Sequence, residues 1–204
     1  MLDKQLCPIS EIELILASTS VYRRDLLSRI SPRFRPIAPN VDEIALPHEL
    51  PHALAVRLAQ SKASALASNY LEALIIGSDQ VAVCEGKVLT KPGNVVNAMQ
   101  QLQHCSGKTV NFYTAVCLID TRFPLPRIYE ALDITHVVFR QLLDQEISLY
   151  LKHEQPFDCA GSFKAEKLGI ALFERIETND PTALIGLPLI ALCRLLREAG
   201  ISIL

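Results

Sequence analysis

The chain has 204 residues, half of them apolar and 21% charged, so it can bury a sizeable core and is not a disordered segment. Its net charge of -2 and pI near 6.2 lack the basic excess with which proteins hold a polynucleotide. A single nucleotide stays open, because a few focused cations suffice for one phosphorylated ligand.

In chain order, Glu11 and Glu13 break what would be the apolar core of a secretory leader, so no such signal is expected; residues 1–11 read as a loose N-terminal extension. Ile12 to Ala17 is a short apolar run and reads as a buried strand. Ser18-Thr19-Ser20 follows, and either serine can cap a helix from Val21 to Ile30, with Leu26, Leu27 and Ile30 on its apolar face. Phe34 to Ile37 predicts a second strand. Pro36, Pro39 and Pro47 then mark a loop carrying Asp42 and Glu43. His52 to Tyr70 predicts a helix with Leu54, Leu58, Ala65 and Leu66 inward and Arg57 and Lys62 outside or at an edge.

Leu74 to Ile76 predicts a strand ending in Gly77-Ser78-Asp79, with Gln80 to Cys84 continuing extended. Glu85-Gly86 is a tight-turn signal before Lys87 to Leu89. Val95 to Cys105 is a helix that Gly107 ends, and Val110 to Ile119 and Ile128 to Phe139 are two long strands. Asp144 to His153 predicts a helix, 159–163 a loop, Ile170 to Ile176 a strand, and Leu189 to Ala199 a closing helix with Gly200 at its C-cap. The longest apolar run, Leu184 to Cys193, contains Gly186 and Pro188 and falls short of the ~20 residues a membrane helix needs. The six cysteines have no zinc or redox spacing and read as buried free thiols. No membrane partner and a cytoplasmic location are therefore expected. Early strand–helix alternation and a later strand pair predict a mixed α/β sheet.

Three places could carry chemistry. Ser18 and Ser20, at a strand end opening a helix, with Arg23 in its first turns, suit either a phosphate site or an ordinary cap with a surface arginine. Asp79, at the end of an apolar strand, suits either metal binding and water activation or a turn. Lys91, stiffened by Pro92 and 12 residues further on, suits either a phosphate contact or an exposed lysine. His48 and His52 have metal-ligand spacing, but Pro51 between them argues against one helix carrying both. Walker, Rossmann and nucleophile-elbow patterns are absent from the sequence.

The ordered set of motifs resembles one family. Leu14 to Ser20 with Arg23, Leu26 and Leu27 looks like the opening motif of Maf proteins. Val41-Asp42-Glu43, Arg57-Leu58-Ala59 with Lys62-Ala63, Gly77 to Val81, Lys91-Pro92, Ser106-Gly107-Lys108, Ala160 to Lys164 and Gly186 to Leu189 follow in the family's order. The resemblance covers nearly the whole chain, and its specificity lies in the ordered set.

The resemblance implies one domain over 1–204, with two lobes around a cleft and a twisted mixed sheet flanked by helices, as in Maf and ITPase-like folds. It implies hydrolysis of a nucleoside triphosphate between the α and β phosphates, with Mg²⁺ or Mn²⁺ and with homodimer formation. By position, Asp79 looks like the catalytic base. Ser18, Arg23, Lys62 and Lys91 look like substrate ligands, and Glu43 and Asp79 like metal ligands. The branch-distinguishing positions are Tyr22, Gln80 and Glu166. Gln80 and Glu166 match the 7-methyl-GTP branch, where the first position is usually tryptophan. The dTTP/UTP branch differs at all three. Val21 stands where the family usually has proline. A nucleotide-binding regulator of septum formation is a further reading of the same resemblance.

Overall fold

The computed structural model describes residues 7–204. Seven strands form a mixed sheet in the order β3-β2-β4-β6-β7-β8, with β5 hydrogen-bonded to β4. They are β2 (Glu13–Leu16), β3 (Arg35–Pro36), β4 (Ala73–Cys84), β5 (Lys87–Leu89), β6 (Thr109–Asp120), β7 (Arg127–Phe139) and β8 (Phe173–Glu177). The helices are α1 (Val21–Leu27), α2 (Pro51–Ala67), α3 (Val95–Cys105), α4 (Asp144–Glu154) and α5 (Leu189–Glu198). Strand β2 runs parallel to both β3 and β4, whereas β5 on β4 and β8 on β7 are antiparallel. The expected mixed α/β class is the observed one.

Within the described residues the chain forms two compact units, 7–80 with 114–133 and 180–204, and 81–113 with 134–179. The first unit buries the apolar residues of β2, α1 and α5, including Leu14, Leu16, Leu26, Leu27, Leu192 and Leu196, against Leu74, Ile76, Val116 and Leu118. The second is centred on four phenylalanines. Phe163 meets Phe112, Phe139 and Phe173 edge-on at ring-centroid distances of 5.4, 5.6 and 4.9 Å, the arrangement that aromatic quadrupoles favour.

Several expectations need correction. Of the loose extension at 1–11, residues 1–6 lie outside the described residues. Cys7–Pro8 is a strand, β1, paired in parallel with β9 (Ile201–Ser202), and Ile9 is buried. Two-residue strands are set by long-range pairing, which local pattern does not reveal. Helix α1 ends at Leu27, three residues early, and Ser20 is its cap. Asp79 is not at a strand end: it lies inside β4, whose twelve residues run from Ala73 to Cys84. The expected strand at Ile170 to Ile176 begins as 3-10 helix (Leu168–Leu172) and becomes strand only at Phe173. All six cysteines are free, but only Cys84, Cys105 and Cys117 are buried. Among the described residues no helix is long and apolar enough to cross a membrane.

The largest correction concerns α2. Ala65 is exposed, and Lys62 is buried at 5% exposure. Leu54, Leu58, Lys62 and Leu66 recur every four residues, so they share one helix face. The lysine rides on the buried stripe.

Candidate active site

The first unit places two cations and two carboxylates together. Helix α2 presents Lys62 to β4, where Asp79 is 7% exposed. Gly77 makes this possible, since a Cβ there would lie 2.1 Å from the Ala59 carbonyl oxygen and 2.7 Å from the Ala63 nitrogen. Backbone and helix can approach this closely only without a side chain. The Lys62 Nζ donates to Asp79 Oδ1 at 2.6 Å and lies 2.6 Å from Glu43 Oε1. One ammonium thus bridges two carboxylates.

Glu43 comes from an irregular loop, and its side chain is 61% exposed. That loop is fixed from α2 by Arg57. Its guanidinium forks onto Glu49 at 2.6 and 2.7 Å and donates to the Ile44 carbonyl at 3.0 Å. The bond from Arg57, the largest cause, holds Glu49 down to a pKa of about 2. Asp42 adds a local turn by accepting from the Ile44 N–H at 3.0 Å. Residues on both sides of Glu43 are therefore pinned.

Arg23, half-buried on α1, is aimed by a carbonyl. Its Nε donates to Gly186 O at 2.9 Å, and Ser78 Oγ donates to the same oxygen at 3.0 Å. The Gly186 turn is held in place by buried Asp180, which accepts from Thr182 Oγ1 and the Ile190 N–H at 2.6 Å each. With Nε occupied, the two terminal guanidinium nitrogens of Arg23 are left for a ligand. Burial lowers the pKa of Arg23, and the charges of Asp79 and Glu43 only partly oppose the shift. Burial likewise pushes the Asp79 carboxyl above its ordinary range, and the Lys62 charge opposes the shift.

Such a set can grip anionic oxygens with Arg23 and Lys62 while a buried carboxylate stays poised for proton transfer. The two carboxylates also suit a hard dication. Among the described residues no group of three or more His, Cys, Asp or Glu side chains could hold a metal by itself. Two carboxylates on one small cation fit the Mg²⁺ pattern, in which substrate phosphates and water complete the coordination.

A family model, described as Maf-like protein, matches residues 13–199. The chain belongs to the Maf family. A 7-methyl-GTP pyrophosphatase of Xanthomonas campestris pv. campestris is 55% identical over 190 residues, covering 93% of this chain and 97% of that protein. Proteins of the same name from Nitrosospira multiformis and Cupriavidus metallidurans are 52% and 50% identical. Those two alignments cover 94% and 92% of this chain and 96% and 93% of the relatives.

Of the Maf-type positions expected from sequence, Arg23, Glu43, Lys62 and Asp79 come together as described. Ser18 is buried and accepts from the Ser20 N–H at 3.1 Å, shaping the turn into α1 rather than capping it. With only seven residues, α1 offers little dipole to a phosphate. Tyr22 is half-buried on that helix. The Gln80 amide nitrogen donates to Thr114 Oγ1 and to the Ala183 and Leu184 carbonyls at 2.9 to 3.2 Å. That orients the side chain, so only its oxygen is available to a ligand. Lys91 and Glu166 belong to the second unit, and both are exposed. The chain on either side of Lys91 is tied to α3, through Gln101 to the Thr90 carbonyl and Asn97 to the Pro92 carbonyl, each at 2.9 Å. Glu166 sits in a tight turn closed by Gly169, where a Cβ would meet the Lys164 carbonyl oxygen at 2.4 Å. Sequence reasoning missed Arg57, Ser78 and Gly186 as aiming residues. All three lie inside Maf-like motifs, which was the available signal.

Proposed function

We propose that this chain hydrolyses 7-methyl-GTP to 7-methyl-GMP and pyrophosphate. The observation that carries the chemistry is the buried Asp79 carboxylate, bridged through the Lys62 ammonium to Glu43 and flanked by Arg23. The name shared by relatives at 50 to 55% identity supports the reaction and the substrate.

In this reading Asp79 takes a proton from the attacking water as its oxygen bonds to the α-phosphorus. The bond from that phosphorus to the α–β bridging oxygen breaks, and pyrophosphate leaves with the electron pair. A raised carboxyl pKa suits a base that works near neutral pH. Arg23 meets phosphate oxygens with its planar fork, Lys62 and Lys91 with point charges, and Ser18 completes the phosphate site by resemblance. Glu43 and Asp79 are the residues that would hold Mg²⁺ or Mn²⁺. When bound, the cation withdraws charge from the phosphate oxygens and lowers the pKa of a coordinated water.

For the base, Glu166 is assigned as acceptor of the guanine N1–H and exocyclic N–H groups. Tyr22 supplies an aromatic face for the cationic methylated ring. The Gln80 oxygen is left as an acceptor. The test is pyrophosphate release from a panel of canonical and methylated triphosphates, with Mg²⁺ and then Mn²⁺, across pH. Only ionised Asp79 can accept the proton, so kcat/KM should rise with pH through a midpoint above the ordinary carboxylate range. Preference for dTTP or UTP would move the chain to the other branch. Nucleotide binding without release would make it a regulator.

A further inference from the structure

Lys62 holds both carboxylates that a divalent cation would need. Its Nζ lies 2.6 Å from Glu43 Oε1 and 2.6 Å from Asp79 Oδ1. It is 5% exposed and stands on a 17-residue helix packed against β4 across Gly77, so its backbone has little room to shift. The charges of Arg23 and Lys62 balance those of Glu43 and Asp79, so the cluster has no net negative charge to attract a dication. A cation seated on these carboxylates sits beside the like charge of Lys62, which is poorly screened on the Asp79 side, where both groups are buried. A polyphosphate changes this. Its oxygens offer the ammonium new acceptors in place of the carboxylates.

We propose that Lys62 is an internal counter-cation that keeps the Glu43–Asp79 pair weak for metal until a polyphosphate draws the ammonium away. Metal and nucleotide then load together, and the free protein does not accumulate metal in a nucleotide-empty site. This rests on the pyrophosphatase reading and adds a second role to a phosphate-binding lysine. The exchange involves no covalent step. The ammonium trades carboxylate oxygens for phosphate oxygens.

The test uses Mn²⁺ alone, without nucleotide, with free metal read by electron paramagnetic resonance at pH 8. The wild-type protein is compared with Lys62→Met and Lys62→Gln, each checked for a native near-ultraviolet circular dichroism spectrum. The expected result is Mn²⁺ binding at least tenfold tighter in both variants, and loss of that gain when Glu43→Gln is added. Equal or weaker binding in folded variants overturns the proposal. If neither variant folds, the wild type decides. In metal-free buffer with excess inorganic triphosphate, amide exchange over 43–46 should speed several-fold, and unchanged or slower exchange overturns the proposal. Pyrophosphate release by the wild type is scored separately. Tighter Mn²⁺ binding in the variants without wild-type turnover would remove the pyrophosphatase reading and leave the counter-cation in place. Turnover without tighter binding would do the reverse.

Discussion

The two units hold their charged candidates in opposite ways. In the first, Lys62 and Asp79 are buried and satisfy each other. Arg23 is half-buried and aimed by the Gly186 carbonyl. In the second, Lys91 and Glu166 are exposed at the tips of segments whose backbone is fixed. Fixing is done there by Gln101, Asn97 and the Phe163 cluster, not by the charged groups themselves. Buried paired charges are costly to break and sensitive to one another. An exposed charge on a fixed backbone can be exchanged with little harm to folding. The first arrangement suits groups that act on one another, and the second suits groups that each meet a ligand singly, as proposed for Lys91 on phosphate and Glu166 on the base.

Asp79→Asn should separate these roles most strongly. It keeps the shape, removes the proton acceptor, and should lower turnover by about 10² to 10⁴ for every nucleotide. A stopped pyrophosphate assay checks this, alongside a thermal melt. Glu166→Gln should act only through recognition. A hydrogen bond to a charged acceptor contributes about 1.5–3 kcal/mol, so kcat/KM for 7-methyl-GTP should fall tenfold to a hundredfold while pyrimidine triphosphates are nearly unaffected. A uniform loss across substrates would erase the distinction between the units.

Gly77→Ala tests whether the close approach of α2 to β4 builds the paired charges. Overpacking of this kind costs about 1–3 kcal/mol, and the melting temperature should drop accordingly. Activity in the remaining folded fraction should fall as well, since Lys62 and Asp79 would be pushed apart. Tyr22→Ala should lose about 0.5–2 kcal/mol of preference for methylated over plain GTP, and Tyr22→Trp should keep it. A competition assay between the two nucleotides measures this directly.

The smallest effect concerns the loop bearing Glu43. Glu49 is depressed by Arg57, so its contribution to stability is complete above the ordinary glutamate range near 4.5 and is lost as pH falls through about 2. Carbon-detected NMR should find its midpoint near 2 in the wild type and closer to 4.5 in Arg57→Lys, which cannot form the fork. Turnover in that variant should fall modestly, through Glu43.

Much of the fold was legible because local pattern and final structure agreed. The helix expected at Val95 to Cys105 is α3 to the residue. The paired strands around Pro124 and Pro126, and the closing helix before Gly200, differ by one or two residues. The site was legible as an ordered set of motifs, but its internal logic was not. The charge of Lys62 points to an outer or edge position, whereas its four-residue spacing from Leu58 and Leu66 points inward, and the spacing prevails. Gly77 read as part of a turn at a strand end, whereas its role depends on Ala59 and Ala63, which only the tertiary structure brings against it. Gly186 contributes a carbonyl, and no side-chain pattern announces a carbonyl.

The proposed role of Asp79 in hydrolysing a methylated guanine nucleotide is open to a direct test. The most direct measurement is pyrophosphate released from 7-methyl-GTP by wild type and Asp79→Asn, with GTP, dTTP and UTP in parallel. Wild-type release should be fastest with 7-methyl-GTP, and the folded Asn variant should nearly lose release while nucleotide binding persists. Wild-type rates in Asp79→Asn, or no preference for 7-methyl-GTP over the other three, would contradict it.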